Sequence, residues 1–277
     1  MIAKKAAEWE LMNICPKCRI CASPTLFFAK ATILNKYEVS YFRCGTCGFM
    51  QTEEPFWHQE SCAEAINSTD VGLVSRNFAA AKVSKAIISA FFDTNGSFVD
   101  YGGGYGMFVR LMRDRGFDFY WFDEHCINLF AQGLKHQPGQ SGTYEILTAF
   151  EVFEHLTDPL AEISKMLHLS KNILFTTKLI PDNPPVPGDW WYYGLEHGQH
   201  ISFFTVRSFR IIARKFGLYF YTNGQSWHLL SEKKISQPLF NIISRYKAAA
   251  FLDLFQRRPS LASLDYQKAV SRSRQQG

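Results

Sequence analysis

Two Cys-x-x-Cys pairs near the N-terminus are the first residues whose types and spacing indicate chemistry. Cys18 and Cys21 form one pair and Cys44 and Cys47 the other, with 22 residues between the pairs. Four thiolates at such spacing are typical of a closed tetrahedral zinc site, which leaves no position for a water ligand. Cys15 stands three residues before Cys18, so these two form an alternative first pair. The pattern predicts a structural zinc ion rather than a catalytic one.

A glycine-rich turn follows a short apolar run in the segment VDYGGGYG. Gly102, Gly104 and Gly106 give the backbone access to positive φ and let a ligand approach closely. Their G-x-G-x-G spacing departs from the dinucleotide fingerprint G-x-G-x-x-G, whose third glycine would fall on Met107. No G-K-[ST] follows, so a phosphate-binding loop is disfavoured as well. The turn therefore favours a nucleotide-like ligand other than NAD.

Two acidic residues accompany this turn. Asp100 precedes the glycines, and Asp123 ends the next strand-like segment, YWFD. A carboxylate at the tip of a second strand can accept hydrogen bonds from both hydroxyls of a ribose, and one beside the glycines suits a positive amine. S-adenosylmethionine (SAM) carries both groups, so we expect it as the cofactor. Glu151, after a later strand-like segment, is a further candidate to face the cofactor or the substrate.

The segment WWYYGLEHGQH carries the candidate base. Methyl transfer to an O–H or C–H acceptor needs a proton to be removed, and a histidine oriented by a carboxylate is the usual general base. We predict His197, which follows Glu196 directly, in this role. His200 is a weaker candidate, and the Glu154 and His155 pair, expected after the fourth strand, is more typical of architecture than of catalysis.

Strand-like and helix-like segments alternate around these residues. Strands are predicted at 97–101, 117–123, 144–150 and 172–180, and helices at 77–92, 105–115, 126–133, 159–170 and 205–217. Such alternation favours an α/β fold with a parallel, doubly wound sheet. Ligands of such folds bind at the carboxyl edge of the sheet, and we expect the Pro-rich insertion that follows residue 180 to lie over that edge.

The sequence resembles the class I SAM-dependent methyltransferases over residues 76–225. The resemblance rests on four segments that occur in the family's order, namely VDYGGGYG, YWFDEH, TAFEVFEHLTDP and EHGQHISFFTVRSFRIIARKFG. It implies a Rossmann-like sheet of seven strands, with SAM over its carboxyl edge. The same resemblance implies that Gly102, Gly104, Gly106 and Asp123 touch the cofactor.

The segments CRICAS and YFRCGTCGF are similar to the N-terminal zinc module of some bacterial sugar C-methyltransferases. This resemblance implies Cys18 and Cys21 as the first thiolate pair. It also implies that His197 deprotonates a carbon beside a ketone, with Glu196 or Tyr193 in a supporting role. Those enzymes commonly carry a further C-terminal domain, which we expect this chain to lack.

The length and net charge of the chain limit the number of domains and the kinds of partner that can be expected. With 277 residues, of which 47% are apolar, the chain can form one α/β domain plus a small module. Its net charge of +5 is spread without a long basic run, which disfavours nucleic acid as a partner. We expect a zinc-binding module at 1–60, a helical linker at 61–92, the methyltransferase domain at 93–230 and a helical tail at 231–277. The tail is expected to serve a partner or a homodimer contact.

The expected compartment is the cytoplasm. No signal peptide and no apolar stretch of about 18 residues is evident. Five of the seven cysteines fall in the first 47 residues, which in a reducing compartment indicates a metal before disulfides.

Together these patterns predict an enzyme that transfers a methyl group from SAM to a small-molecule acceptor, such as a nucleotide-linked sugar or a polysaccharide precursor. An alternative is methylation of RNA or protein, with the zinc module binding the macromolecule. A third interpretation is a non-catalytic zinc-ribbon scaffold that has kept the SAM fold. The intact glycine turn and Asp123 speak against this last interpretation.

Overall fold

The computed structural model of the chain describes residues 15–61, 70–137, 144–255 and 258–276. Its strands are β1 (Thr25–Ile33), β2 (Tyr37–Cys44), β3 (Met50–Thr52), β4 (Ser97–Tyr101), β5 (Asp118–Phe122), β6 (Ile146–Phe150), β7 (Asn172–Thr176), β8 (Ser202–Phe203), β9 (Tyr219–Thr222) and β10 (Trp227–Ser231). Its helices are α1 (His58–Ser61), α2 (Leu73–Phe91), α3 (Met107–Asp114), α4 (Pro159–Leu169), α5 (Val206–Phe216), α6 (Gln237–Ile243), α7 (Tyr246–Asp253) and α8 (Ala262–Gln276). Short 3₁₀ turns span Phe153–His155 and Trp191–Tyr193.

The main sheet has the strand order β5-β4-β6-β7-β10-β9. The first four strands run parallel, and β10 pairs antiparallel with both β7 and β9. Every residue of β7 is buried, as is typical of a parallel strand that is covered on both faces. The prediction of an α/β fold with a parallel, Rossmann-like core is therefore confirmed.

The main sheet contains six strands within the described residues, where the resemblance implies seven. Beside β5 a single parallel bridge joins Trp121 to Lys135. The backbone N–H of Trp121 donates to the carbonyl of Leu134 at 2.8 Å, and that of His136 donates to the carbonyl of Trp121 at 2.8 Å. This bridge occupies the edge position where a further strand would pair.

The helix predicted at 126–133 is wrong, because this segment forms a loop. The side chain of Asn128 accepts a hydrogen bond from the N–H of Ala131 and donates one to its carbonyl, each at 2.8 Å. The two N–H groups that follow Asn128 donate to the carbonyl of Tyr105, at 3.0 and 2.9 Å. A side chain and a distant backbone carbonyl thus take the hydrogen bonds that a helix would make internally.

A second sheet, with the order β1-β2-β3-β8, forms the N-terminal module. Its last strand comes from the far end of the insertion, and Met50 pairs there with Phe203. Phe49 packs on Phe204 with ring centroids 4.9 Å apart, within a hydrophobic cluster that also holds the main-sheet residue Phe175. One hydrophobic core therefore contains residues from both sides of the predicted domain boundary at residue 60.

The C-terminal helix α8 is joined to the domain of the main sheet by a buried ion pair. Asp265 accepts hydrogen bonds from the guanidinium of Arg113 at 2.7 and 2.8 Å, and Arg113 is only 1% exposed. None of the helices in the described part of the chain is long and apolar enough to cross a membrane.

Candidate active site

The four cysteines of the two Cys-x-x-Cys pairs lie together. Sulfur–sulfur distances are 3.5 Å for Cys18 and Cys47, 3.4 Å for Cys21 and Cys44, and 3.6 Å for Cys21 and Cys47. In a tetrahedral zinc site with Zn–S bonds of about 2.3 Å, the sulfurs are about 3.8 Å apart. The cluster therefore fits a structural zinc ion, and Cys15 is not one of its members.

The glycine turn connects the end of β4 to the start of α3. Gly102, Gly104 and Gly106 have φ of +67°, +52° and +84°, in the left-handed region that favours glycine. A Cβ at Gly102 would lie 2.8 Å from Cγ2 of Val152, so Val152 leaves no room for a side chain at this position. A Cβ at Gly104 would meet no atom within 4 Å, so the turn presents bare backbone to open space there.

Asp123 fixes the shape of this turn. Its Oδ2 accepts a hydrogen bond from the N–H of Gly104 at 2.8 Å, and its Oδ1 accepts from the N–H groups of His125 and Cys126 at 2.8 and 2.9 Å. On the other side, Nε1 of Trp121 donates to the carbonyl of Gly104 at 2.8 Å. The Asp123 carboxylate thus positions the turn, and its contact with a ribose stays a prediction.

A cavity of about 760 Å³ extends from the glycine turn to the insertion. Its size lies within the range of small-molecule sites. The predicted site residues that line it are Asp100, Gly102, Gly104, Glu151, Glu196 and His197. Gly106, Asp123 and Tyr193 do not line it.

Asp100 supplies the buried acidic group beside the glycines. It is 3% exposed, and its Oδ1 accepts a hydrogen bond from Oγ1 of Thr148 at 2.6 Å. Burial raises the pKa of Asp100 to about 7, and the negative charge of Asp123 acts in the same direction. A ligand with a positive amine would favour the ionised form of Asp100. Together with the open backbone at Gly104, this carboxyl group makes the cavity a fit for SAM.

His197 lines the same cavity as the glycine turn. Its Nδ1 accepts a hydrogen bond from the backbone N–H of Gln199 at 3.1 Å. Burial lowers the pKa of His197 to about 4, with a further contribution from His200, so the ring is neutral near pH 7. Glu196 is exposed, and no hydrogen bond joins it to His197 within the described residues. The expected orienting contact between these two neighbours is therefore not formed.

His155 and His200 continue the surface that His197 begins, and we name these three residues the histidine wall. The ring centroid of His200 lies 4.8 Å from that of His197 and 5.0 Å from that of His155. Nδ1 of His200 donates to the carbonyl of Tyr192 at 2.6 Å, which leaves Nε2 with the lone pair. Burial lowers the pKa of His155 and of His200, so both rings favour the neutral form.

Comparison with known proteins decides the family. A family model described as a methyltransferase domain matches residues 75–223. The chain belongs to the class I SAM-dependent methyltransferase family. No curated protein sequence matches this methyltransferase.

Several solved methyltransferase structures are similar to this one. Human N-acetylserotonin methyltransferase in complex with SAM is 13% identical, with a TM-score of 0.40 over 56% of this chain and 52% of that chain. The calicheamicin biosynthesis methyltransferase CalO1, in its S-adenosylhomocysteine-bound form, is 13% identical, with a TM-score of 0.40 over 58% and 55%. The magnesium protoporphyrin IX methyltransferase of Synechocystis with bound SAM is 14% identical, with a TM-score of 0.37 over 63% and 91%. This chain spans about half the length of the first two.

The tyrosine that reaches the cavity of the methyltransferase is Tyr192 rather than the predicted Tyr193. Tyr193 donates its hydroxyl hydrogen to the carbonyl of Pro185 at 2.8 Å and packs on Tyr41 with ring centroids 5.4 Å apart. Tyr192 lines the cavity and donates to Oε1 of Glu154 at 2.6 Å. Successive residues of a 3₁₀ turn point about 120° apart, so only one of the two faces the site.

Glu151 occupies an unusual backbone conformation directly after β6. Its φ of +53° is rare for a residue with a Cβ, and such strain concentrates at functional sites. Its Oε1 accepts a hydrogen bond from Oγ1 of Thr176 at 2.7 Å. Burial raises the pKa of Glu151 to about 7, and the nearby charge of Glu154 adds to this effect. The hydrophobic periodicity of the sequence carries no signal of this conformation.

Proposed function

We propose that this methyltransferase transfers the methyl group of SAM to a small-molecule acceptor bound against the histidine wall. The observation that supports the proposal is one cavity of about 760 Å³ whose lining includes both the glycine turn and the histidine wall. A cavity of this size suits a cofactor with a small acceptor. A nucleotide-linked sugar or a polysaccharide precursor is the acceptor class that we favour.

The residues of the chain would bind and orient the two reactants. Asp100 would face the amine of SAM, and the open backbone at Gly104 would allow close approach. Bound SAM supplies an electrophilic methyl group on a sulfonium. Holding the acceptor in line with that group can contribute on the order of 7 to 11 kcal/mol to lowering the barrier. Trp191, which lines the cavity and is 71% exposed, would cover a ring of the acceptor.

His197 is the proposed base, as the sequence predicts. The neutral ring has one lone pair, on Nδ1, and this atom accepts the N–H hydrogen of Gln199. Uptake of a proton at Nδ1 therefore requires that this hydrogen bond breaks. Nε2 of His200 carries a lone pair that could accept the same proton, so His197 and His200 are tested together.

The test uses zinc-loaded protein, calorimetric titration with SAM, and methyl transfer to a panel of sugar nucleotides. We expect His197→Gln to lower kcat by about 100-fold or more, the usual effect of a lost general base, with the Kd for SAM unchanged. A normal rate of methyl transfer in His197→Gln, together with loss of methyl transfer in His200→Gln, would assign the role of general base to His200. Absence of SAM binding by the folded protein would contradict the proposed function itself.

One observation favours methylation of a macromolecule as a second candidate. A groove of about 860 Å³ beside the zinc cluster is lined by Arg43, Arg207 and Arg210. Clustered guanidinium groups suit phosphates or acidic side chains. Binding of RNA that weakens steeply with salt and is lost in Arg207→Gln with Arg210→Gln would support this candidate.

Two further expectations belong to this proposal. A cytoplasmic location suits the six described cysteines, none of which forms a disulfide within the described residues. A homodimer contact through the tail is supported by exposed apolar side chains there, among them Ile242, Phe251 and Phe255. Light scattering of the full chain and of Phe251→Ser would test the dimer.

A further inference from the structure

We propose a second metal site in this methyltransferase, for a divalent first-row transition-metal cation, formed by Glu154, His155 and His200. One carboxylate oxygen and one ring nitrogen from each histidine lie within 4.8 Å of one another. Two imidazoles and one carboxylate are a ligand set that binds Fe²⁺, Co²⁺ or Zn²⁺ while leaving positions open for other ligands. Ligands bound at about 2.1 Å would lie about 3 to 3.5 Å apart, so the site closes by about an ångström around an ion.

The backbone brings these three ligands together from two distant segments. The left-handed conformation of Glu151 turns the chain from β6 into the 3₁₀ turn that presents Glu154 and His155 in succession. His200 lies two residues before the start of β8. The N–H of Ile201 donates to the carbonyl of Glu154 at 2.9 Å, which fixes the two segments side by side.

Glu154 carries an unsatisfied oxygen at the centre of this arrangement. The residue has no exposed surface, and its Oε1 accepts the hydroxyl hydrogen of Tyr192 at 2.6 Å. Its Oε2 is buried and makes no hydrogen bond of good geometry within the described part of the chain, and the side chains of Thr177 and Glu151 are the other polar groups that act on this carboxylate. A carboxylate oxygen buried without a partner is costly, so native structures rarely contain one without a reason. A cation would supply the missing partner.

His200 is oriented for coordination, and the ring of His155 packs against it. His200 donates from Nδ1 to the carbonyl of Tyr192 at 2.6 Å, which holds the ring and directs the lone pair to Nε2. Such a second hydrogen bond is the usual way in which a metal-ligating histidine is oriented. His155 packs edge-to-face on His200, and among the described residues no hydrogen bond to its ring is found.

The proposed site differs from the four-cysteine cluster in chemistry and in position. It contains no sulfur ligand, and His155 and His200 both line the cavity in which the acceptor is proposed to bind. A cation there would bind an oxygen of the acceptor and lower its pKa, which makes it a better nucleophile. This role rests on the proposed function, whereas the binding of the metal does not.

The test is a titration of the full chain with Co²⁺ after the cysteine cluster has been loaded with zinc and excess metal removed. Calorimetry gives the stoichiometry, and visible absorption shows the ligand type. We expect one Co²⁺ per chain, with weak d–d bands and without the thiolate-to-cobalt charge transfer of a cysteine site. Glu154→Gln and His200→Gln should each weaken binding at least tenfold. His168→Gln, an exposed histidine on α4, should leave binding unchanged.

Calorimetry with SAM on each variant keeps the result interpretable. Variants that bind SAM normally are folded, so their loss of Co²⁺ supports the site. Absence of Co²⁺ binding by SAM-binding wild-type protein would overturn the proposal, and so would binding that survives both ligand variants. Loss of SAM binding in zinc-loaded wild type would instead contradict the proposed function, so the two failures are distinguishable.

Discussion

Substitution of Gly104 by alanine separates ligand binding from backbone strain. Gly104 lines the cavity with φ of +52°, and a Cβ built there meets no atom within 4 Å. Gly217, the left-handed residue that ends α5, offers a matched control. Its φ is +68°, a Cβ there also meets no atom within 4 Å, and the residue is outside the cavity.

The two variants should cost the same stability and differ only in cofactor binding. A residue with a Cβ in the left-handed region costs about 1 to 2 kcal/mol, so we expect that loss in both Gly104→Ala and Gly217→Ala. The methyl group at Gly104 additionally occupies space at the turn where the cofactor approaches. We expect Gly104→Ala to weaken SAM binding at least tenfold, which corresponds to about 1.4 kcal/mol. We expect Gly217→Ala to leave the Kd for SAM unchanged.

Urea denaturation measures the first effect and calorimetric titration with SAM the second. Equal SAM affinity in Gly104→Ala and Gly217→Ala would refute the reasoning, because the open backbone at the turn would then not contact the cofactor. A stability loss in Gly104→Ala far beyond that of the control would refute it as well, since the position would then be packed rather than open.

Three further predictions follow from burial and metal binding. Burial lowers the pKa of His228 to about 4 from 6.5, so only the unfolded chain gains a proton as the pH falls between these values. The contribution of His228 to the free energy of unfolding should therefore drop by about 3 kcal/mol over that range, measured in urea as the difference between wild type and His228→Gln. Because the pKa of Asp100 is about 7, its charge forms as the pH rises, so calorimetry should show SAM affinity increasing up to about pH 8. Asp100→Asn should remove this dependence. Cys47→Ser should abolish zinc in elemental analysis and destabilise the chain by several kcal/mol, whereas Cys15→Ser should retain one zinc per chain.

Local sequence patterns were sufficient to predict most of the strands and helices of the fold. The strand predicted at 97–101 forms as β4, and the helix predicted at 159–170 forms as α4, Pro159–Leu169, with Asp158 capping it by accepting from the N–H of Ala161 at 3.1 Å. The predicted helix at 126–133 fails because the side chain of Asn128 and a carbonyl of the glycine turn capture its backbone donors. The spacing of apolar residues in the sequence gives no information about such competition for hydrogen bonds.

The site was less predictable, because its geometry depends on contacts between distant segments. The glycine turn and the four cysteines are local motifs, and the structure places each group as a unit. The choice of Tyr192 over Tyr193, in contrast, depends on which neighbour of a 3₁₀ turn faces Glu154. Glu154 itself lacks a second partner only because β8 and the insertion bury it, which no single segment of sequence reveals.

The zinc module has a physical task although its closed site offers no reactive position. The N–H of Leu34 donates to the carbonyl of Leu195 at 2.8 Å, and Nε1 of Trp57 donates to the carbonyl of Gly198 at 2.8 Å. These two contacts lie on either side of His197. The glycine turn is built from neighbouring residues, whereas the histidine wall is contacted by a module that is far away in sequence. Loss of zinc should therefore disturb the wall before it disturbs the glycine turn.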